Sequence, residues 1–269
     1  MNTPWRSGDG PRHTLLLHGF LGTGRNLRGL ARRWAKADPS RSIWTFDLPA
    51  HGQAPTPVGP PTLDSLAQAV LEALPREASA GPLCWVGHSL GGRLSLQVAA
   101  AQPERVAEIA LLDIGPGPIR DPGGAAQVID ALLAAPPWAP DRPSMAAALE
   151  AAGAPARLVP WLMMQAVPAA RARPPGAPEG IGWQMDRPWL EQLFTHQRAA
   201  DLWPIVEAGA PLRGLIYGGA SPFVDSETVA RLEAAGVATQ ALEGAGHDLH
   251  ADAPEALVEA LRALLSPGP

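Results

Sequence analysis

Short apolar runs alternate with stretches whose apolar residues fall three and four apart over the first 112 residues. Thr14–Leu17, Ser42–Phe46, Leu83–Val86 and Val106–Leu112 read as strands. Between them, Asn26–Ala37 places Leu27, Leu30, Ala31 and Trp34 on one helical face, and Leu63–Leu74 does the same with Leu66, Val70 and Leu74. A third helix runs from Leu90 to Gln102, and Pro103 stops it. The rhythm then breaks. From about Pro118 to Pro204 no strand-like run appears, and the pattern predicts short helices at Ala125–Ala134, Met145–Ala152, Leu158–Gln165 and Trp189–Ala199. A loop rich in Pro and Gly is expected at Arg171–Gly182. Strands resume at Leu212–Tyr217 and Val237–Leu242. Each precedes a helix, one capped by Ser226 and running through Ala235, the other covering Pro254–Leu265.

Strands that alternate with helices predict a mostly parallel central sheet with helices on both faces, an α/β fold. The interrupted stretch predicts a helical cap inserted after the strand ending near Leu112. Residues 1–117 and 205–269 then form the core, and 118–204 the cap. Ligands of such sheets lie at the carboxyl ends of the strands. His18, Asp47, Ser89 and Asp113 each fall at or just past such an end.

Composition narrows the function classes. The 269 residues carry a formal net charge of -5 and a single lysine, Lys36, with no basic run, which excludes a nucleic-acid footprint. One cysteine, Cys84, excludes an internal disulfide or a multi-cysteine metal site, and its place in a strand marks it for the core. The first residues hold no apolar signal core, and the longest uncharged stretch, Leu158–Ala170, contains two prolines and is too short to span a membrane. A cytoplasmic protein is expected, either monomer or homodimer.

The chemistry gathers around Gly87-His88-Ser89-Leu90-Gly91. Strand, sharp glycine-flanked turn and helix lift a serine hydroxyl to a helix N-terminus, where unpaired N–H groups favour negative charge. A serine needs a base, and the base needs a partner to fix its tautomer. His247, in the Gly-flanked loop after the last strand, fits the base, with His250 as competitor. Two aspartates could stand behind it. Asp113 ends the strand beside the serine turn and is favoured, whereas Asp225 precedes the helix-capping Ser226. The N–H groups of Phe20 and Leu90 are the expected oxyanion donors. Leu21, His88, Trp161, Met164, Trp183 and Phe223 are candidate pocket residues, with the apolar cap closing over the serine. His18 and His51 read as structural. The reaction needs no metal and no cofactor.

Taken together, His18-Gly19-Phe20, Asp47-Leu48-Pro49-Ala50-His51-Gly52, Gly87-His88-Ser89-Leu90-Gly91-Gly92 and Gly246-His247 resemble the α/β-hydrolase fold superfamily, over about two thirds of the chain. Leu112-Asp113-Ile114-Gly115-Pro116, Gly218-Gly219-Ala220-Ser221-Pro222-Phe223-Val224 and Gly246–Asp252 are similar to the YbfF-type branch of esterases and acyl-CoA thioesterases. That resemblance implies a Ser-His-Asp hydrolase of a small-molecule acyl ester or thioester, working through an acyl-enzyme. In that branch a serine replaces the usual turn acid and the aspartate after the preceding strand serves, which points to Asp113. The chain departs from the branch at Asp248, where an aromatic residue is usual. His18-Gly19-Phe20, Asp47-Leu48-Pro49-Ala50-His51-Gly52 and Ser-Leu-Gly-Gly-Arg, ending at Arg93, are also shared with a menaquinone-pathway lyase, SHCHC synthase, that uses a serine-histidine pair for proton abstraction. A non-catalytic binding protein of the same fold is the third possibility.

Overall fold

The computed structural model describes residues 4–78, 80–120, 125–172 and 179–266. In chain order its first half contains β1 (Trp5–Ser7), β2 (Arg12–Leu17), α1 (Gly24–Ala37), β3 (Arg41–Thr45), α2 (Leu63–Glu72), β4 (Leu83–His88), α3 (Leu90–Ala101) and β5 (Val106–Leu112). An insertion follows, with α4 (Ala125–Ala134), β6 (Trp138–Ala139), α5 (Arg142–Ala151), α6 (Val159–Leu162), β7 (Ala166–Pro168), β8 (Ile181–Trp183) and α7 (Arg187–Ala199). The chain then forms α8 (Trp203–Glu207), β9 (Leu212–Gly218), α9 (Ser226–Ala234), β10 (Ala238–Leu242), α10 (Leu249–Asp252) and α11 (Pro254–Leu264).

The main sheet has seven strands in the order β1-β3-β2-β4-β5-β9-β10. Only β1 runs antiparallel to its neighbour, pairing Trp5 with Thr45. Successive residues of a strand point to opposite faces, and the core divides accordingly. Leu16, Val86, Ala110, Leu112 and Ile216 face α1 and α11, where Leu30, Trp34, Leu257 and Leu261 meet them. Leu15, Leu17, Trp85, Leu111 and Leu215 face the other way, towards Leu66 and Val70 of α2 and Leu94 and Val98 of α3. Every residue of β4 is buried, as a strand covered on both faces requires.

Three expectations need correction. The insertion is not purely helical: β6, β8 and β7 form a small antiparallel sheet that pairs Trp138 with Gly182 and Ala166 with Trp183. Strands of two or three residues are too short to show a period. The helix expected at Leu158–Gln165 is α6 flanked by single 3₁₀ turns. The cap of α9 is Asp225, whose side chain accepts the Thr228 N–H, and Ser226 is the first helical residue. The short β1, at the chain start, was not anticipated. Of the Pro- and Gly-rich loop predicted at 171–182, residues 173–178 lie outside the described residues, and Ile181 and Gly182 belong instead to β8. Among the described residues, no helix is long and apolar enough to cross a membrane.

The ends of the insertion are tied together by one buried side chain. Arg93 of α3 is fully buried. Its Nη1 donates to the carbonyls of Gly115 and Gly117, at 3.2 and 2.7 Å, on the way into the insertion. Its Nη2 donates to the carbonyl of Ala200, on the way out. The two junctions also pair directly, Leu202 N with Pro116 O and Ile119 N with Arg198 O, both at 2.9 Å. Replacing Arg93 by Met strands several buried carbonyls, each costing about 1–3 kcal/mol when unsatisfied. Denaturant unfolding of Arg93→Met is expected to show a loss of roughly 2–4 kcal/mol, with faster proteolysis at 115–120. Unchanged stability and unchanged proteolysis would show that the junctions do not depend on it.

Candidate active site

Ser89 occupies the turn between β4 and α3 with φ 51° and ψ −116°, a region that costs a side-chain-bearing residue on the order of 1–3 kcal/mol. The turn is this tight because two glycines let the chain cross itself. A Cβ on Gly87 would stand 2.1 Å from the Gly91 carbonyl carbon, and one on Gly91 would stand 2.6 Å from Leu17 O. The Ser89 N–H is held by Leu112 O at 3.0 Å. The hydroxyl thus sits half-buried at the start of α3, where the N–H of Leu90 has no intrahelical acceptor.

Asp113 directly follows β5, also in the left-handed region at φ 53°. Its side chain has no exposed surface and lies 2.6 Å, Oδ2 to Nδ1, from His247. Three donors converge on its carboxylate: Gly218 N on Oδ1 at 2.8 Å, and Ser221 Oγ and His247 Nδ1 on Oδ2. The His247 ring is stacked on Phe223, 3.9 Å between centroids and 22° between planes. Its backbone carbonyl accepts from His88 Nε2 at 2.8 Å. No hydrogen bond joins the Ser89 hydroxyl to His247 among the described residues. In sites without substrate this link is commonly long and tightens on binding. Asp225, the other candidate acid, is exposed and is engaged as the cap of α9; hydrogen bonds from Thr228 hold its pKa down.

The loop after β2 lies against the serine turn. A Cβ on Gly19 would stand 2.8 Å from His88 Nδ1 and 3.1 Å from Ser89 Cβ, so only glycine, next to Phe20 in the chain, permits this approach. His18 fixes the loop. Leu48 N–H donates to its Nε2 at 2.8 Å, so Nδ1 carries the proton and donates to Gly19 O, also at 2.8 Å. Burial lowers the pKa of His18 to about 4 and that of His51 to about 3. The two rings meet edge to face with centroids 5.2 Å apart. Asp47 braces the next loop, accepting from Gly24 N and Gln53 N at 2.9 Å each.

A groove of about 330 Å³ opens beside the loop after β2, lined by Phe20, His88, Trp161, Met164, Asp248 and His250 among others; Ser89 and His247 adjoin lining residues but are not on its wall. Three of the six expected pocket residues, His88, Trp161 and Met164, are on its wall. Phe223 lies on the far side of His247, in a second cavity of about 230 Å³ with Trp203 and Arg231. Leu21 and Trp183 do not line the groove. Leu21 is 2% exposed, and Trp183 is fully buried inside the insertion, its indole donating to Pro136 O at 3.0 Å. Sequence reasoning missed Gln165, which no motif marks. It is buried, its amide donates to Leu21 O, and its Oε1 accepts from Gln184 at 2.8 Å. The insertion thereby grips the loop that carries Phe20.

Among known families, residues 14–260 match the alpha/beta hydrolase family. The chain belongs to that family. Of curated alpha/beta hydrolase relatives, lipase LipV of Mycobacterium tuberculosis is 36% identical over 145 residues, 54% of this chain and 52% of its own length. Esterase Rv0045c of the same organism is 29% identical over 225 residues, 81% of this chain and 72% of that one. The chain thus spans about half of LipV. A marine microorganism esterase superposes with a TM-score of 0.80 at 20% identity, covering 98% of this chain and 99% of that one, which establishes the shared fold.

The buried histidines of this hydrolase-family fold make its stability sensitive to acid. His18 and His51 keep folded pKa values of about 4 and about 3, below the unfolded value of 6.5. Between those limits the unfolded chain binds more protons, so stability is full above about pH 6.5 and is lost as pH falls towards 4. The urea midpoint is expected to fall steadily from pH 7 to pH 4.5, with a shallower slope in His51→Gln. A flat profile in the wild type would contradict neutral, buried histidines.

Proposed function

We propose that this protein is a serine hydrolase of carboxylic esters, with Ser89 as nucleophile, His247 as general base and acid, and Asp113 as the residue orienting His247. The observation that carries the reading is the 2.6 Å contact of Asp113 Oδ2 with His247 Nδ1 at the strand edge that also presents Ser89. A carboxylate on Nδ1 holds the proton there, leaves Nε2 free to accept the Ser89 proton, and stabilises the imidazolium that results. Ser89 Oγ then attacks the acyl carbon. The carbonyl oxygen becomes an oxyanion, met by the N–H groups of Leu90 and Phe20. His247 returns the proton to the leaving alcohol, and water repeats the sequence on the acyl-enzyme.

The family and its esterase and lipase relatives support the same chemistry. The insertion, residues 118–204, acts in this proposal as a cap over the groove. Phe20, Leu27, Trp161 and Met164 favour an apolar acyl chain there, and among the described residues no lysine or arginine lines the groove to meet the phosphates of a coenzyme A thioester. Arg93, in one of the three stretches shared with the lyase, is occupied by the carbonyls at the ends of the insertion and is not available to a substrate.

A fluorophosphonate probe is expected to label the wild type once, and Ser89→Ala to abolish labelling. A folded wild type that stays unlabelled would sink the proposal. With p-nitrophenyl esters of rising chain length, Asp113→Asn is expected to lower kcat by on the order of 10³–10⁴-fold. Asp225→Asn should keep kcat within about threefold and cost only about 1 kcal/mol of stability through the lost cap. The opposite ranking would move the orienting role to Asp225.

A further inference from the structure

Beside the proposed catalytic groups lies a cluster that ester hydrolysis does not use. His88, Asp248 and His250 each offer one ligand atom, and the three atoms lie within 4.8 Å of one another. Among the described residues no other group of histidine, cysteine or acidic side chains does this. We propose that these three residues bind a divalent transition-metal ion, of which zinc is the probe, at the wall of the groove.

Three observations converge on that site. The donors are two imidazoles and a carboxylate, a set that suits zinc, cobalt, nickel or copper and is a poor match for magnesium or calcium, which take oxygen ligands. The donors are uncommitted or steered. His250 Nδ1 is buried with no hydrogen-bond partner, and the ring of His88 is held in place by its 2.8 Å bond to the His247 carbonyl. The surroundings favour a cation. All three residues line the groove, which carries no lysine or arginine among the described residues, and Asp252 adds a second carboxylate acting on His250. Zinc with nitrogen and oxygen ligands at about 2.0–2.2 Å spaces its donors roughly 3.4 Å apart in a tetrahedron. With no pair more than 4.8 Å apart, the cluster needs to close by about 1.4 Å at most. Asp248 is exposed and can make that movement, while the two histidines stay with the packed sheet edge. Three protein ligands leave a coordination position for water or for a group entering the groove. Asp248, at the position where the sequence departs from its nearest resemblance, is the ligand that makes the set complete.

The test is calorimetric titration of the chelator-treated full chain with Zn²⁺ and, separately, with Mg²⁺. One equivalent of Zn²⁺ is expected to bind, with Mg²⁺ binding at least a hundredfold more weakly. Asp248→Asn and His250→Gln should each weaken Zn²⁺ binding by tenfold or more, the range lost even when an outer-shell partner of a ligand is removed. Replacing Zn²⁺ with Co²⁺ should give visible absorption bands in the wild type that shrink or shift in both variants. Asp248→Asn alters only an exposed side chain, so its result does not depend on His250→Gln folding well. Wild type that binds no Zn²⁺ in preference to Mg²⁺ would overturn the site, as would Asp248→Asn binding Zn²⁺ with unchanged affinity and an unchanged Co²⁺ spectrum.

Discussion

Four non-glycine residues hold left-handed backbone among the described residues: Leu21, Ala50, Ser89 and Asp113, with φ between 51° and 64°. Each lies beyond the carboxyl end of a different strand, and those strands, β3, β2, β4 and β5, are neighbours in the sheet. Such conformations cost on the order of 1–3 kcal/mol apiece and persist only where the surroundings over-determine them. Here the sheet does so. Ser89 N is bonded to Leu112 O and Asp113 N to Ile216 O, so these two strained residues hang from the neighbouring strand. The strain is therefore concentrated along one edge, and that edge carries Ser89 and the Asp113–His247 pair.

The insertion completes the restraint. Gln165 donates to Leu21 O, and Asp186 N donates to Ala50 O at 3.2 Å. Thr56 Oγ1 reaches the Asp186 carboxylate at 2.8 Å, and Phe194 packs on Phe20 with centroids 5.3 Å apart. Two of the four strained loops are thus gripped from above by the same segment whose ends Arg93 ties to the core. A segment joined to the edge through backbone carbonyls of strained residues does more than line the groove with Trp161 and Met164. It sets the position of the loop that carries Phe20.

Much of this was legible in the residues, for reasons tied to period and to punctuation. Strands β2 to β5 and helices α1 to α3 carry long apolar patterns closed by Gly or Pro, so their order and the parallel sheet could be read directly. Ser89 was legible because glycines flank it on a strand-to-helix turn, and His247 because it follows a strand in a glycine loop. The small sheet of the insertion was not, since Trp138–Ala139 and Ile181–Trp183 are too short to carry a period. Trp183 misled for a related reason: a large aromatic residue in an unpatterned segment is as often that segment's own core as the wall of a pocket. Gln165 left no trace, because a lone amide carries no spacing and its partner, the Leu21 carbonyl, is backbone.

Ser221 shows how one substitution can be read in two ways. In sequence it is the absence of an acid at the turn after β9. In space its hydroxyl donates to Asp113 Oδ2, its oxygen accepts from Phe223 N at 3.3 Å, and Phe223 stacks on His247. An aspartate there would place a second carboxylate against Asp113 in a buried setting, where like charges raise the pKa of one partner and leave it protonated. A serine instead gives a proton to the hydrogen bond and stabilises the charged carboxylate. Asp113 then receives donors from Gly218, Ser221 and His247 together, enough to compensate a buried charge that a single partner would leave exposed to the desolvation penalty. The turn after β9 reaches the histidine through Ser221 and Phe223, while the negative charge stands on Asp113 at the end of β5. That arrangement needs a rigid strand end at position 113, and it ties the residue facing His247 to the same strained edge that presents Ser89.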